Sequence, residues 1–547
     1  MGCSGGPETA PNIFEGEPNP TALQTCYDAQ LTNNGSIQTN TICTSVENTG
    51  YNGLGVSRFI RFTVNAFSTV SLQVTRTSGI NPADPDITLY RNGIRIDWAD
   101  TVIYNQETLT TNLNAGNYVF EINEFTYSSL FEDEKSQLNF QTQPQQKTKV
   151  SNPVVQSTSP SNCVTGDDST VSGVIEFARV PHSDTGNSLD YSSTTSEPVQ
   201  QAVVEVICNG GAYSVGVTDN TGFYSLDFPN NQSALVRVKA QMLSANNWNF
   251  SVVDNTIASK PVYAMDGNSF VATANITRNI YAPSGWGGSR YTGVRVAAPF
   301  AILDSVRKAK DKILNVDGNI QFPELKINWS PDNSQLNDTG TFYDGSEIFL
   351  SGTENVDTDE YDEHVIIHEW AHYFEDNFSR SDSIGGIHGV DDVLDIRVAF
   401  SEGFSNAFSA IVTDNPLYID TSGPRQSNGF SINLENNYCT NAGWFSECSV
   451  QSVLYDLYDN DADGTDLLNL DLSLIYNVLV GEQRNTQALT SVFSFIKPLK
   501  DQNVVSADAI DALLNAQRID PVSDIYGSSQ STANPGVTDQ LPIYETY

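Results

Sequence analysis

The rhythm of apolar and polar positions changes along the chain. From about residue 23 to 140, runs such as "SRFIRFTV", "STVSLQVTR", "DITLYRNG" and "GNYVFEIN" alternate apolar with polar residues between turn formers. That is the period-two pattern of strands with one buried face. "STVSGVIEF", "QAVVEVICNGG", "TDNTGFYSLDFP" and "ALVRVKAQ" resume it beyond 163, broken by Gly-Gly and Asn-Thr-Gly turns. Past about 291 the period lengthens. "APFAILDSVRKAKDKIL" places apolar residues three and four apart after a proline, as an amphipathic helix does. Helical spacing recurs in "EHVIIHEWAHYFED", "VAFSEGFSNAFSAIV" and "SVQSVLYDLYD". The expected fold class is multidomain: two antiparallel β-sandwiches followed by an α+β domain.

Composition places the boundaries. Residues 1–22 are rich in Pro, Gly, Asn and Thr and read as a flexible spacer, and 141–162 have the Gln, Ser, Thr and Pro content of a linker. The expected domains are a sandwich at 23–140, a second sandwich with a connector at 163–290, the α+β domain at 291–525 and a tail at 526–547.

Charge and cysteine then narrow the setting. With 27 basic against 66 acidic residues the net charge is -39, which repels phosphate backbones and excludes nucleic acid as a partner. No apolar run is long enough for a spanning helix. Six of the seven cysteines fall in local pairs, Cys26 with Cys43, Cys163 with Cys208 and Cys439 with Cys448. One disulfide per segment is the simplest pairing, and it implies an oxidising compartment. "MGCSGGPETAPN" resembles the processed junction of a bacterial lipoprotein. The resemblance implies a lipid on Cys3 as the sole membrane attachment, and an outer-membrane, cell-surface or extracellular location.

The chemistry concentrates in "EHVIIHEWAHYFED". Asp357, Thr358 and Asp359 offer N-caps for a helix over about 359–378. His364, His368 and His372 stand four residues apart. Each such step turns a helix by about 40° and climbs about 6 Å, too far for all three to reach one ion. His368 and His372 are one turn apart and can share a metal, with Glu369 beside it as a base, which is the H-E-x-x-H pattern. His364 falls to a helix-surface or supporting place.

A catalytic zinc needs a third protein ligand. A histidine six residues after His372, as in metzincins, is excluded because Phe378 stands there. His388 lies in the Gly-rich "SIGGIHGVDD" with Asp391 and Asp392, and Glu402 lies on a second helical pattern with Val398, Phe400, Phe404, Phe408 and Ile411. "SEGFSNAFSAIV" resembles the second signature of thermolysin-like gluzincins. The resemblance implies Glu402 as the third ligand and Asn406 as support for a histidine ligand, although the family's usual residue at the latter position is an acid. It also implies a strand beside the metal that pairs with extended substrate, for which Ser346, Glu347, Ile348, Phe349 and Leu350 are the candidates. An oxyanion donor is expected from Tyr455 or Tyr458.

Asp459, Asn460, Asp461, Asp463 and Gly464 open like a calcium-binding EF-hand loop, but Leu470 stands where its last ligand belongs. Ca²⁺ is thus a second expected ion beside Zn²⁺. The first sandwich resembles a pre-peptidase C-terminal domain, and the second resembles a carboxypeptidase regulatory-like (transthyretin-like) domain. The function expected is a monomeric, exported zinc peptidase of the zincin kind acting on polypeptides. The rivals are an adhesion lipoprotein with a degenerate metal domain and a metal-dependent amidase acting on glycopeptide or peptidoglycan.

Overall fold

The computed structural model describes residues 25–44, 57–124, 161–183, 187–244, 247–333, 340–386, 388–436, 438–459, 468–530 and 544–546. Cys3, the 1–22 spacer and most of the calcium-type loop lie outside them. The chain forms several sheets, mostly antiparallel, with helices α1 (Ala298–Val316), α2 (Glu363–Phe378), α3 (Ile396–Thr413), α4 (Glu447–Asp456), α5 (Leu472–Val478), α6 (Val492–Asp501) and α7 (Ala507–Ala516). It is β-rich and multidomain, and it divides into two compact units. No helix among the described residues is long and apolar enough to cross a membrane.

One unit takes in residues 147–373 and 412–432. Its strand Asp168–Arg179 centres a five-stranded sheet, and Ala202–Cys208, buried at every position, lies inside an eight-stranded one. The larger sheet does not stop near 290. Trp248–Val253 pairs in parallel with Leu325–Trp329, which pairs in parallel with Ile348–Leu350. A parallel pair needs a long crossover, and α1 supplies it between the first two strands. The texture change at 291 therefore marks a new chain direction within one sheet and not a break between sheets.

The other unit takes in 8–146, 374–411 and 433–547. Its first part is a two-sheet arrangement in which alternate residues meet in one core: Tyr27, Ala29, Leu31, Val70, Leu72 and Val74 from one sheet, Ile60, Phe62, Ile87, Leu89, Phe120 and Ile122 from the other. The strand Tyr544–Thr546, from residues expected to be tail, adds to this fold by pairing in parallel with Ser57–Val64. The sandwich is tied to the helical part of its unit. The Arg397 guanidinium, at the start of α3, donates to the buried Glu121 carboxylate at 3.1 Å and to Asp395 at 2.9 Å. All three expected disulfides are present, Cys26–Cys43 joining directly opposed strand positions.

Candidate metal centre

Helix α2 begins at Glu363, later than the N-cap pattern predicts. Asp357 and Thr358 are held in a strand and Asp359–Tyr361 form a single 3-10 turn, so the expected caps are used before the helix starts. The turn leads straight into α2, where Glu363 is paired with Arg179 at 2.9 Å and with Lys308. Burial alone would raise the Glu363 carboxyl, but these two cations overrule it and hold it at about 2.

Within α2, His368 is fully buried and His372 partly so. Their Nε2 atoms stand 3.0 Å apart with the rings nearly perpendicular. Two ligands about 2.0–2.1 Å from a tetrahedral zinc lie roughly 3.3 Å from one another, so this pair needs little movement to accept the ion. His368, His372 and Glu402 each offer a ligand atom, and these atoms lie within 4.8 Å of one another. Glu369 is buried next to His368. The donor set, two imidazoles and a carboxylate, suits zinc chemistry. His364 is buried, its Nε2 3.4 Å from the Thr413 hydroxyl, and desolvation lowers its pKa to about 4. It is therefore no surface residue. Phe378, at the place of a metzincin histidine, stacks on Phe374.

Helix α3 was expected to be amphipathic, yet every residue from 394 to 412 is buried. Its apolar positions pack as Phe400, Phe404 and Phe408, with Phe404 and Phe408 flanking Phe374. Its polar positions are satisfied inside: Ser401 donates to Glu375 at 2.6 Å, and the Asn406 amide donates to Glu447 at 2.6 Å and to Gln451 at 2.8 Å. The last two bonds explain the asparagine. An aspartate could only accept there and would face the Glu447 carboxylate. Gly403 lets α4 come this close, since a Cβ on it would sit 2.6 Å from the Val450 Cβ.

Two residues join the site that the sequence did not assign to these roles. His388, weighed above only as a ligand, stands with Nε2 3.5 Å from Glu402 and 3.4 Å from Glu447, while its Nδ1 faces the Gly386 carbonyl at 2.9 Å. Burial opposes its charge, but Glu402 and Glu447 outweigh that and raise its pKa to about 9. Glu447 follows the N-cap Ser446, so in sequence it reads as a first-turn acid favouring the helix dipole. No local signal links it to Glu402. Cys448, the next residue, is held by the disulfide to Cys439.

With this geometry in hand, the comparisons bear on one region. The mycolysin C-terminal domain family matches residues 316–516, which include His368, Glu369, His372 and Glu402. The match fits a thermolysin-like metallopeptidase. No curated protein matches the chain. Among solved structures it is similar to a Ca²⁺-stabilised adhesin that helps an Antarctic bacterium bind ice, at 13% identity and TM-score 0.11 over 47% of this chain and 70% of that one. It is also similar to a β-D-glucuronidase of Dictyoglomus thermophilum, at 11% identity and TM-score 0.10 over 46% and 44%. Likenesses this slight carry no argument.

The expected substrate strand needs correction. Only Ile348, Phe349 and Leu350 are strand, and Ser346 and Glu347 belong to the turn before it. The Asp344 carboxylate accepts from both of their backbone amides, at 2.8 and 2.7 Å, and Gly345 takes φ +88°. That tight turn folds Phe342–Tyr343 back against Ile348–Leu350, so Phe342–Tyr343 ends the sheet and the expected strand lies inside it. Tyr455 is buried on α4, and Tyr458 follows that helix, its amide donating to the Tyr455 carbonyl at 2.8 Å.

Proposed function

We propose that the chain is an exported zinc-dependent peptidase with a zincin catalytic region. What carries this reading is the convergence of His368, His372 and Glu402 on one point, with Glu369 on the same helix as the histidines. Those three residues would hold the ion, which when bound supplies the polarisation of a water and of the scissile carbonyl. Glu369 takes the proton of the attacking water and returns it to the leaving amine. His388, cationic beside Glu402, and the Asn406–Glu447 bond fix the orientation of the third ligand, as supporting groups do at metal sites. The three disulfides support export, and a lipid on Cys3 belongs to the same reading. Mass spectrometry of protein from its native host tests that anchor.

The deciding experiment is zinc content and hydrolysis of casein by the wild type and Glu369→Gln. Stoichiometric zinc in both, with hydrolysis in the wild type alone, is the expected result. A zinc-loaded wild type that leaves casein and a peptide library intact would sink the peptidase reading, and cleavage of peptidoglycan amides instead would redirect it to an amidase.

A further inference from the structure

A second group of carboxylates lies just ahead of α2, and the proposed peptidase chemistry makes no use of it. Asp357 is paired across an antiparallel ladder with Ser422. Continuing that register by two residues on each chain brings Asp359 towards Asp420, and since alternate residues share a face all three acids point the same way. Ligand atoms of Asp357, Asp359 and Asp420 lie within 4.8 Å of one another.

Like charges facing across strands destabilise a sheet, and burial multiplies the cost. Asp359 and Asp420 are each 1% exposed. Among the described residues, neither carboxylate oxygen of Asp420 has a hydrogen-bond partner, nor has Oδ1 of Asp357. Asp359 accepts from the Thr341 hydroxyl. Arg295 is engaged elsewhere, donating to Glu360 at 2.8 Å, and the His182 ring is hydrogen-bonded to Asp362 at 2.8 Å. Burial raises the Asp357 carboxyl to about 7; hydrogen bonds with Asp359 and Ser351 oppose the rise, and the nearby negative Asp362 and Glu360 add to it. A buried acid with two bare oxygens among other acids calls for an external cation.

We propose that Asp357, Asp359 and Asp420 bind a calcium ion, at a site separate from His368, His372 and Glu402. The donors are oxygen alone, which favours a hard ion over zinc. Magnesium gives up its waters reluctantly, whereas calcium accepts six to eight oxygens and irregular geometry, which suits a largely dry site made by three carboxylates. Asp357 is half-buried and leaves one side for water to complete the shell. The ion would clamp the turn Asp359–Tyr361, which leads into α2, to the strand Leu417–Ser422.

The test uses the zinc-loaded full chain, freed of calcium on a chelating resin, with calcium titrated by calorimetry and thermal unfolding followed in parallel. Calcium should raise the melting midpoint of the wild type by several degrees, and magnesium at equal concentration by clearly less. Asp420→Asn should bind calcium at least tenfold more weakly at this site and lose the rise. A wild-type midpoint indifferent to calcium overturns the proposal, as does an Asp420→Asn protein that responds like the wild type. Should that variant fail to fold, Asp357→Asn carries the same comparison, and the wild-type titration decides without either. None of these readouts depends on peptide hydrolysis.

Discussion

Asp357 and Glu363 stand six residues apart in the sequence, yet their carboxyls are driven in opposite directions, one up to about 7 and the other held at about 2. Burial acts on both in the same sense. The difference lies in company: Glu363 has Arg179 and Lys308, whereas the charges that act on Asp357 are those of Asp362 and Glu360, both negative. In an acidic chain the useful question about a buried acid is where its positive charge comes from. Glu121 and Glu363 obtain it from the chain. Glu402 has His388 beside it, whereas the Asp357 trio has no such cation among the described residues and, on our proposal, obtains it from solution.

Substitutions can break that division, and the largest effect belongs to the zinc-type centre. Glu369→Gln should lower the rate of peptide hydrolysis by about 10²–10⁴-fold, the usual worth of a positioned base, with elemental analysis showing zinc unchanged. Next comes an acid supplied by the chain itself. Glu121→Ala leaves Arg397 buried beside Asp395 without its second partner and should cost about 3–5 kcal/mol, read by urea unfolding with or without calcium. Asp420→Asn is the opposite case: in calcium-free buffer it removes a buried acid whose ionisation burial, Asp357 and Asp362 all oppose, and should melt at or above the wild type. An Asp420→Asn protein as badly destabilised as Glu121→Ala would erase the distinction between the two kinds of acid.

The Glu363 pairs sharpen it through pH. The folded carboxyl lies below its unfolded value, so its stabilisation is present above about pH 4.5 and drains away as pH falls towards 2. The span corresponds to roughly 3 kcal/mol. Glu363→Gln should therefore be less stable than the wild type by about that amount at pH 6, with the gap narrowing to less than half at pH 3 in urea titrations. The smallest effect is steric. Gly403→Ala forces α3 from α4 and should cost about 1–3 kcal/mol while weakening zinc retention, because Asn406 and Glu447 lose register beside Glu402.

How much of this could be read beforehand varied with the range of the interaction. His368, Glu369 and His372 lie within five residues on one helix, and helical pitch alone sets the two histidines side by side. Strand alternation predicted the β-rich first half, because one buried face imposes a period of two. The start of α2 was misplaced because Asp357 and Asp359 have good cap chemistry, and only the ladder to Ser422 takes them out of the helix. The strand beside Gly345 was misjudged in the same way, since a hairpin turn decides which strand ends the sheet. Helix α3 showed an apolar face but gave no hint that its polar face is buried as well.

The sequence by itself determined the motif, the cysteine pairing, the alternation of strands and the acidity, all of which are local or compositional. Tertiary structure alone decided which acids have cations. Glu121 meets Arg397 across 276 residues, Asn406 meets Glu447 across 41, and Asp420 joins Asp357 through a strand pairing that no local pattern announces. Charges interact through space and feel burial, and a one-dimensional pattern records neither their distance nor how much water is left around them.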